Sequence, residues 1–284
     1  MDEQTLLNEL LATDKLDRVR ELVDAYVETQ SSWVLWRPVG DRANNSGTIQ
    51  GAGDPARALI ERVTNGIDAV IERAYVEHNG KPECNSPRAA AQAWFGVPSA
   101  GLHKLKNSEV RRLAQDSVTL TLFPGDGRAK RTVEVADTGL GLTAAQMPNT
   151  ILSLNADNKS SKFYLAGAFG QGGSATFASA DYTLIASRSV KTPDTIAFTI
   201  VKFQPPQGLK LGSYVYLVRE GSVLTTTNIP AAFGEFSTRV RHYGYDLDDY
   251  PSPLGPNSLY GRAQAILFEP TLPFWFDNRV HDYK

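Results

Sequence analysis

The chain has 284 residues, of which 42% are hydrophobic and 21% are charged, an ordinary composition for a folded protein of one large or two small domains. With 29 Lys and Arg against 31 Asp and Glu, the formal charge is -2, so no overall basic field attracts nucleic acid or an anionic membrane.

Cysteine content and the N-terminal sequence indicate the cellular compartment. The single cysteine, Cys84, excludes an internal disulfide framework and a cysteine-rich zinc site, and it suits a reducing compartment. The first residues carry acids where a signal peptide needs bases, and no apolar run approaches the ~18 residues of a membrane span. We expect a cytoplasmic protein with no membrane partner.

Helices are predicted first along the chain, and strands follow. Apolar residues recur at helical spacing over residues 3–29, which predicts one or two helices. Asp54 and Pro55 suit an N-cap and a first helical position, so a helix is predicted from Pro55 to Glu77. Residues 78–108 are interpreted as loops around a short helix. Segments rich in β-branched and aromatic residues predict strands at 117–123, 131–137, 182–189, 195–203, 213–219 and 263–269.

This order of elements predicts an α/β protein whose mixed, largely antiparallel sheet is covered on one face by helices. We assign residues 1–54 to an N-terminal helical segment and loop, 55–220 to the core, and 221–284 to a C-terminal extension. The aromatic-rich end of that extension suggests a further domain beyond this chain. The charged stretch at 239–245 is interpreted as a solvated helix end rather than a contact with a partner or nucleic acid.

The helix predicted from Pro55 carries three polar residues on one side. At about 100° per residue, Glu61, Asn65 and Asp68 cluster roughly opposite the apolar stripe, so their side chains can converge. Such a cluster is either a solvated face or a polar site. Gly66 favours the site, because a glycine inside a helix costs about 1 kcal/mol relative to alanine and often marks a close approach to the backbone.

A second motif is "VEVADTGLGLT", residues 133–143, where a strand runs directly into a glycine-containing turn. The pattern is typical of a tight turn, but it also suits a ligand. Asp137 at the strand end can accept a hydrogen bond from an exocyclic amine, and Gly139 and Gly141 let the backbone approach a flat ring.

A third motif is "GAFGQGGSATFAS", residues 167–179. Gly167, Gly170 and Gly172 precede a segment that can start a helix, which would present backbone N–H groups to an anion. A mobile connector is the alternative. The spacing is not that of a P-loop, and the polar segment before it does not suit a dinucleotide-binding fold.

Together and in this order, the three motifs resemble the Bergerat ATP-binding fold of the GHKL superfamily. That superfamily includes type II topoisomerases, the ninety-kilodalton heat-shock chaperones, sensor histidine kinases and MutL proteins. "GAFGQGG" is similar to the glycine box of the chaperones, and "ERVTNGIDA" to the helix of topoisomerases and MutL. The resemblance covers about residues 55–220 and implies a two-layer Bergerat-type sandwich that binds ATP and Mg²⁺.

The resemblance also implies roles for the helix and the strand end. Glu61 would be the general base for the attacking water, Asn65 would ligate Mg²⁺, and Asp68 would support the site by hydrogen bonding. Asp137 would bind the adenine amine. Gly139 and Gly141 would pass close to the base.

For the phosphates, the resemblance implies backbone donors and a lid. Gly167, Gly170 and Gly172 would present N–H groups to the phosphates. Residues 155–166 match the position of the mobile ATP lid, where Lys159 or Lys162 would neutralise phosphate charge. Ser213, which follows Gly212, falls where the family often has Gly-Thr, so its hydroxyl would join the water network around adenine.

The expected activity is slow, Mg²⁺-dependent ATP hydrolysis, with lid closure and pairing of two ATPase domains, helped by a missing C-terminal region if one exists. Two alternatives remain open. An ATP-sensing module would use the same residues with little hydrolysis. A histidine kinase commonly has asparagine where this chain has Glu61, and no phospho-acceptor helix is evident. The process that ATP drives, and any protein or nucleic-acid partner, are not predicted by the sequence.

Overall fold

The computed structural model describes residues 1–49, 54–127, 130–154, 162–166, 172–206, 208, 211–250, 252 and 255–280. Among the helices of this described part, none combines the length and apolar character needed to cross a membrane.

One sheet organises the described chain. Its strands follow the order β1-β6-β5-β4-β8-β3-β2-β9, with β7 paired to β5. The described strand pairs are antiparallel except β2 with β9, which run parallel. The strands are β1 (Val34–Pro38), β2 (Val118–Phe123), β3 (Lys130–Asp137), β4 (Tyr182–Arg188), β5 (Ile196–Gln204), β6 (Ser213–Arg219), β7 (Leu224–Thr226), β8 (Thr238–Asp246) and β9 (Trp275–Asn278).

Helices pack against this sheet, as predicted for an α/β protein. They are α1 (Glu3–Ala12), α2 (Leu16–Thr29), α3 (Ser46–Ile49), α4 (Pro55–Glu77), α5 (Pro87–Phe95), α6 (Asn107–Gln115), α7 (Gly172–Ala175) and α8 (Leu259–Ile266). The predicted fold class, a mixed and largely antiparallel sheet with helices against it, is confirmed.

Successive strand residues face opposite sides of the sheet, so each strand contributes to two cores. On one side, α4 and α5 cover β2 and β3, and the apolar stripe of α4 is buried there. On the other side, α1 and α2 cover β4 and β5, where Leu184 and Phe198 meet the leucines of α1. The N-terminal helix pair thus adds a helical layer on the face opposite α4, which the sequence interpretation of one covered face did not include.

Two segments differ from their sequence predictions. Residues 263–269 were expected to be a strand, but most of them belong to α8, which begins after Ser258, whose side chain accepts a hydrogen bond from the Gly261 N–H. Residues 239–245 were expected to be a solvated helix end, but they form most of β8, between β4 and β3. The residues after 220 therefore supply a central strand of the sheet.

Candidate functional site

Helix α4 forms as its sequence predicts. The Asp54 side chain accepts hydrogen bonds from the backbone N–H groups of Ala56 and Arg57, and Pro55 occupies the first turn. Most of the helix is buried between the sheet and neighbouring helices, because its apolar residues pack on β2 and β3. Its polar residues are therefore held at defined positions.

The three predicted polar residues of α4 differ strongly in exposure. The Glu61 side chain is 43% exposed and forms an ion pair with Arg57 at 3.6 Å. Asn65 is half-buried. Asp68 is buried, with 1% of its surface exposed. The polar face of α4 thus runs from solvent at Glu61 into the protein at Asp68.

Gly66 brings α4 against the end of β3. A Cβ built on Gly66 would lie 3.2 Å from a methyl group of Val118 and 3.4 Å from the Cβ of Asp137. Only a residue without a side chain fits this contact without displacement. This close approach explains why a glycine, which is unfavourable in a helix, occurs here. It also puts Asp137 against α4.

Asp137 is the buried carboxyl of the site. It is 8% exposed, and its Oδ1 accepts a hydrogen bond of 2.9 Å from the Gly139 N–H. Burial raises the pKa of Asp137 to about 7, although the Gly139 N–H and the positive charge of Arg62 act in the opposite direction. Such a dry carboxyl at a strand end favours a ligand that brings its own hydrogen-bond donor.

The turn after Asp137 packs tightly against protein on both sides. A Cβ on Gly139 would lie 2.5 Å from the Cβ of Ala69 on α4. Gly141 has φ +63, and a Cβ there would lie 2.0 Å from the carbonyl oxygen of Arg188 at the end of β4. Contacts within the protein account for both glycines, and their approach to a flat ring stays a prediction.

Two hydroxyl groups lie in line with Asp137 across the sheet. Asp137 pairs with Thr238 on β8, and Thr238 pairs with Ser187 on β4. The Thr238 and Ser187 hydroxyls are 2.9 Å apart, and the Leu142 N–H donates to Ser187 Oγ at 2.8 Å. Directly paired strand residues face the same side, so the three polar groups form one buried row under the turn.

Ser213 does not belong to this row, so its predicted place beside Asp137 is wrong. It begins β6 and pairs with Gln204, the last residue of β5, whereas Ser187 pairs with Ala197 near the start of β5. Ala197 and Gln204 are seven positions apart on β5, which is about 23 Å of extended strand. Instead, the Ser213 hydroxyl accepts a hydrogen bond of 3.0 Å from the Asn44 N–H.

Lys162 and Asp68 anchor the described end of the predicted lid to α4. The Ala166 N–H donates to Asp68 Oδ1 at 2.8 Å, and Lys162 pairs with Glu72 one turn further along the helix. Asp68 thus holds the backbone of this segment, and its supporting role in an ATP site stays a prediction. Lys162 is engaged by a carboxylate here, rather than standing free for a phosphate.

Several predicted residues lie outside the described part of the chain. These are Lys159 in the predicted lid and Gly167 and Gly170 in the glycine motif. Gly172 is the first residue of α7, which lies against α4. A helix start at the end of the glycine motif therefore agrees with the sequence prediction.

Arg62 was missed by the sequence interpretation. It is 5% exposed, its Nη2 donates to Thr176 Oγ1 at 3.0 Å, and its guanidinium lies 5.7 Å from the centre of the Phe177 ring. Burial lowers the pKa of Arg62 to about 10, although electrostatic interactions with Tyr245 and Asp137 act in the opposite direction. The signal was available, because this arginine falls within an otherwise apolar part of the α4 pattern.

Two cavities formed by described residues lie elsewhere, and neither is lined by Glu61, Asn65, Asp68 or Asp137. Within the described ranges, no group of three or more His, Cys, Asp and Glu residues is placed to hold a metal ion. A metal at Asn65 would thus depend on ligands other than a preformed carboxylate or histidine cluster.

No family model matches the chain, and no curated protein matches it.

Proposed function

We propose that this chain is a GHKL-type ATPase that binds Mg²⁺-ATP between α4 and the ends of β3 and β8 and hydrolyses it slowly. The observation that carries the proposal is Asp137, a buried carboxyl at a strand end that lies directly beneath Gly66 of α4. Two motifs about 70 residues apart in sequence meet at this point, which supports the proposal.

Adenine recognition is assigned to the polar row of the sheet. Asp137 accepts a hydrogen bond from the exocyclic amine of the base. Thr238, paired directly with Asp137, replaces Ser213 as the hydroxyl that supports this contact, and Ser187 supports Thr238 in turn. Guanine has a carbonyl oxygen at that position and offers no donor to Asp137, so ATP is preferred over GTP.

Hydrolysis is assigned to the polar face of α4. Asn65 would hold Mg²⁺, which would neutralise charge on the phosphates when bound. Glu61, one helical turn before Asn65, orients and deprotonates the attacking water. Its side chain is 43% exposed, so a water molecule can reach the carboxylate, which supports this role.

Lid closure is the conformational part of the proposal. The segment 162–166 is held on α4 through Asp68 and Glu72, so closure of the predicted lid would be transmitted to the helix that carries Glu61. We further propose that the ATP-bound form pairs as a homodimer. The single Cys84 supports a cytoplasmic location.

A nucleotide sensor with little turnover would use the same groups, and hydrolysis measurements separate the two functions. A histidine kinase is less well supported. His242 is fully buried in β8, and His78 contacts the Ala74 carbonyl oxygen at the end of α4. Burial makes His242 inaccessible as a phospho-acceptor, whereas His78 is exposed and lies at the end of α4.

The proposed adenine contact is tested by titrating the protein with a non-hydrolysable ATP analogue. At pH 8, where the carboxyl is ionised, the Asp137→Asn variant should bind about 10- to 100-fold more weakly, the usual effect of losing a hydrogen bond to a charged group. Asp17→Asn on the exposed face of α2 is the matched control and should bind like wild type. Equal affinities for wild type and Asp137→Asn, in folded proteins, would remove Asp137 from the site.

A further inference from the structure

Among the described residues, none covers the whole width of the sheet face opposite α4. Helices α1 and α2 cover β4 and β5, but a cavity of about 610 Å³ lies over β8, β3, β2 and β9. This volume is in the range of small-molecule sites. Its wall includes the end of α1 and the Phe236 loop.

The cavity floor contains a buried group of three charges. Glu134 forms ion pairs with Arg239 and, at 2.7 Å, with Arg241. Side-chain exposure is 3% for Glu134, 11% for Arg239 and 6% for Arg241. Burial alone would raise the pKa of Glu134, but the two arginines outweigh burial and lower it. All three groups are charged, and together they carry one excess positive charge.

The other charged residues of the cavity are paired locally. Asp277 binds Arg279 at 2.7 Å, and Asp14 lies 3.9 Å from Lys15. The excess charge of the buried group is therefore not cancelled by these carboxylates. The lining contains three acids and three arginines. Because Lys15, outside the lining, neutralises Asp14, the cavity keeps a net positive charge.

Two cations of this cavity converge on one ring. The Arg241 guanidinium lies 4.8 Å and the Arg279 guanidinium 5.1 Å from the centre of the Phe123 ring. The ring attracts both guanidiniums, whereas the removal of Arg241 from water carries a cost. An anion in the cavity would give these arginines a further charge-assisted partner.

Aromatic side chains provide the rest of the binding surface. Phe236 and Trp275 line the cavity together with the arginines. Arg239 lies 4.7 Å from the centre of the Phe236 ring, so a flat apolar wall adjoins the charged floor. A ligand that combines an anionic group with a ring would complement both.

We propose that this cavity binds a small organic anion that carries a flat ring. Its phosphate or carboxylate oxygens face Arg241 and Arg279, and its ring packs near Phe236 and Trp275. The site is distinct from the proposed ATP site, because Glu134 and Asp137 are three residues apart on β3 and face opposite sides of the sheet. The inference does not depend on ATP binding.

Calorimetric titration of the whole chain with phenyl phosphate and with benzoate tests the proposal and distinguishes the two anionic groups. At least one of them should bind, and inorganic phosphate, which lacks the ring, should bind at least about tenfold more weakly. Binding of neither ring compound would overturn the proposal. Equal binding of inorganic phosphate would overturn the assignment of the ring.

Arg279→Ala supplies the residue-level test, because this side chain is 55% exposed and its removal should leave the fold intact. The ring compound should bind about tenfold more weakly, as expected for one lost charge-assisted hydrogen bond. Arg20→Ala, which removes a similarly exposed arginine from α2, should bind like wild type. Unchanged binding by Arg279→Ala would contradict the proposal.

A final arm separates this site from the proposed ATP site. Saturation with a non-hydrolysable ATP analogue should leave binding of the ring compound in place, and Asp137→Asn should bind it normally. Competition by the analogue would show that the compound occupies the ATP site instead and would overturn the proposal. If ATP does not bind at all, phenyl phosphate or benzoate should still bind to the cavity.

Discussion

Gly66 of α4 lies directly against Asp137 of β3: a Cβ on the glycine would come within 3.4 Å of the Cβ of the aspartate. The contact joins the helix that carries Glu61 and Asn65 to the strand end that carries the buried carboxyl. Because the helix rests on this carboxyl, the size of residue 66 sets how closely the two motifs approach.

The first prediction concerns this contact. Gly66→Ala gains about 1 kcal/mol in helix propensity, but its methyl group crowds Val118 and Asp137, so the free energy of unfolding should change little. Gly66→Val pushes further into the same contact and should destabilise the protein by about 1–3 kcal/mol. Denaturant unfolding of the two variants measures this. A valine variant as stable as wild type would show that α4 does not rest on β3 at this residue.

A second prediction follows from the pKa of Asp137, which is raised from 3.8 to about 7. The folded protein holds this proton more tightly than the unfolded chain does. The associated stabilisation is therefore complete below pH 3.8 and is lost as the pH rises through about 7. The asparagine of Asp137→Asn stays neutral at every pH. The free energy of unfolding of this variant, relative to wild type, should therefore increase between pH 4 and pH 8. The total increase should be about 1.4 kcal/mol for each unit by which folding raises the pKa of Asp137.

Urea unfolding at the two pH values tests this, with the exposed Asp17→Asn as the control whose difference from wild type should stay nearly constant. At pH 8 the Asp137→Asn variant should therefore gain stability relative to wild type while its affinity for ATP falls. If the difference between Asp137→Asn and wild type were the same at both pH values, the carboxyl would not be titrating in the dry environment described.

A third prediction concerns the anchor of the lid. Asp68→Ala removes the acceptor of the Ala166 N–H, so hydrogen exchange at Ala166 should accelerate by about 10- to 100-fold, and ATP affinity should fall. Asp68→Asn keeps an acceptor oxygen and should retain more of the protection. Exchange measured on residues 162–166 gives the answer, and equal protection in Asp68→Ala and wild type would mean that another contact holds the segment.

Local signals in the sequence were enough to predict α4. Asp54 and Pro55 mark its start, and apolar spacing continues to Glu77, where the helix ends. Periodicity failed where a segment was short. "AQAILFE" suits a strand, but Ser258 upstream caps a helix that runs through most of it. Helix and strand patterns are not separable over so few residues.

Features set by strand pairing were not predictable in the same way. The charges of β8 suggested a solvated segment. In the structure Arg241 is buried and forms an ion pair with Glu134, and His242 is fully buried. The hydroxyl beside Asp137 is Thr238 rather than Ser213, because β8 and not β6 pairs with β3. Strand order depends on contacts between distant segments, which a single sequence does not display.

The most direct test of the ATPase assignment is single-turnover ATP hydrolysis by Glu61→Ala, compared with wild type and with Glu77→Ala, which removes another ion-paired glutamate from the exposed side of α4. Wild type and Glu77→Ala should hydrolyse ATP at similar slow rates, and Asn65→Ala should lose Mg²⁺-dependent binding. Glu61→Ala should still bind ATP but turn it over about 10²- to 10⁴-fold more slowly, because only the positioned base is missing. Wild-type turnover by a folded Glu61→Ala protein would contradict the account.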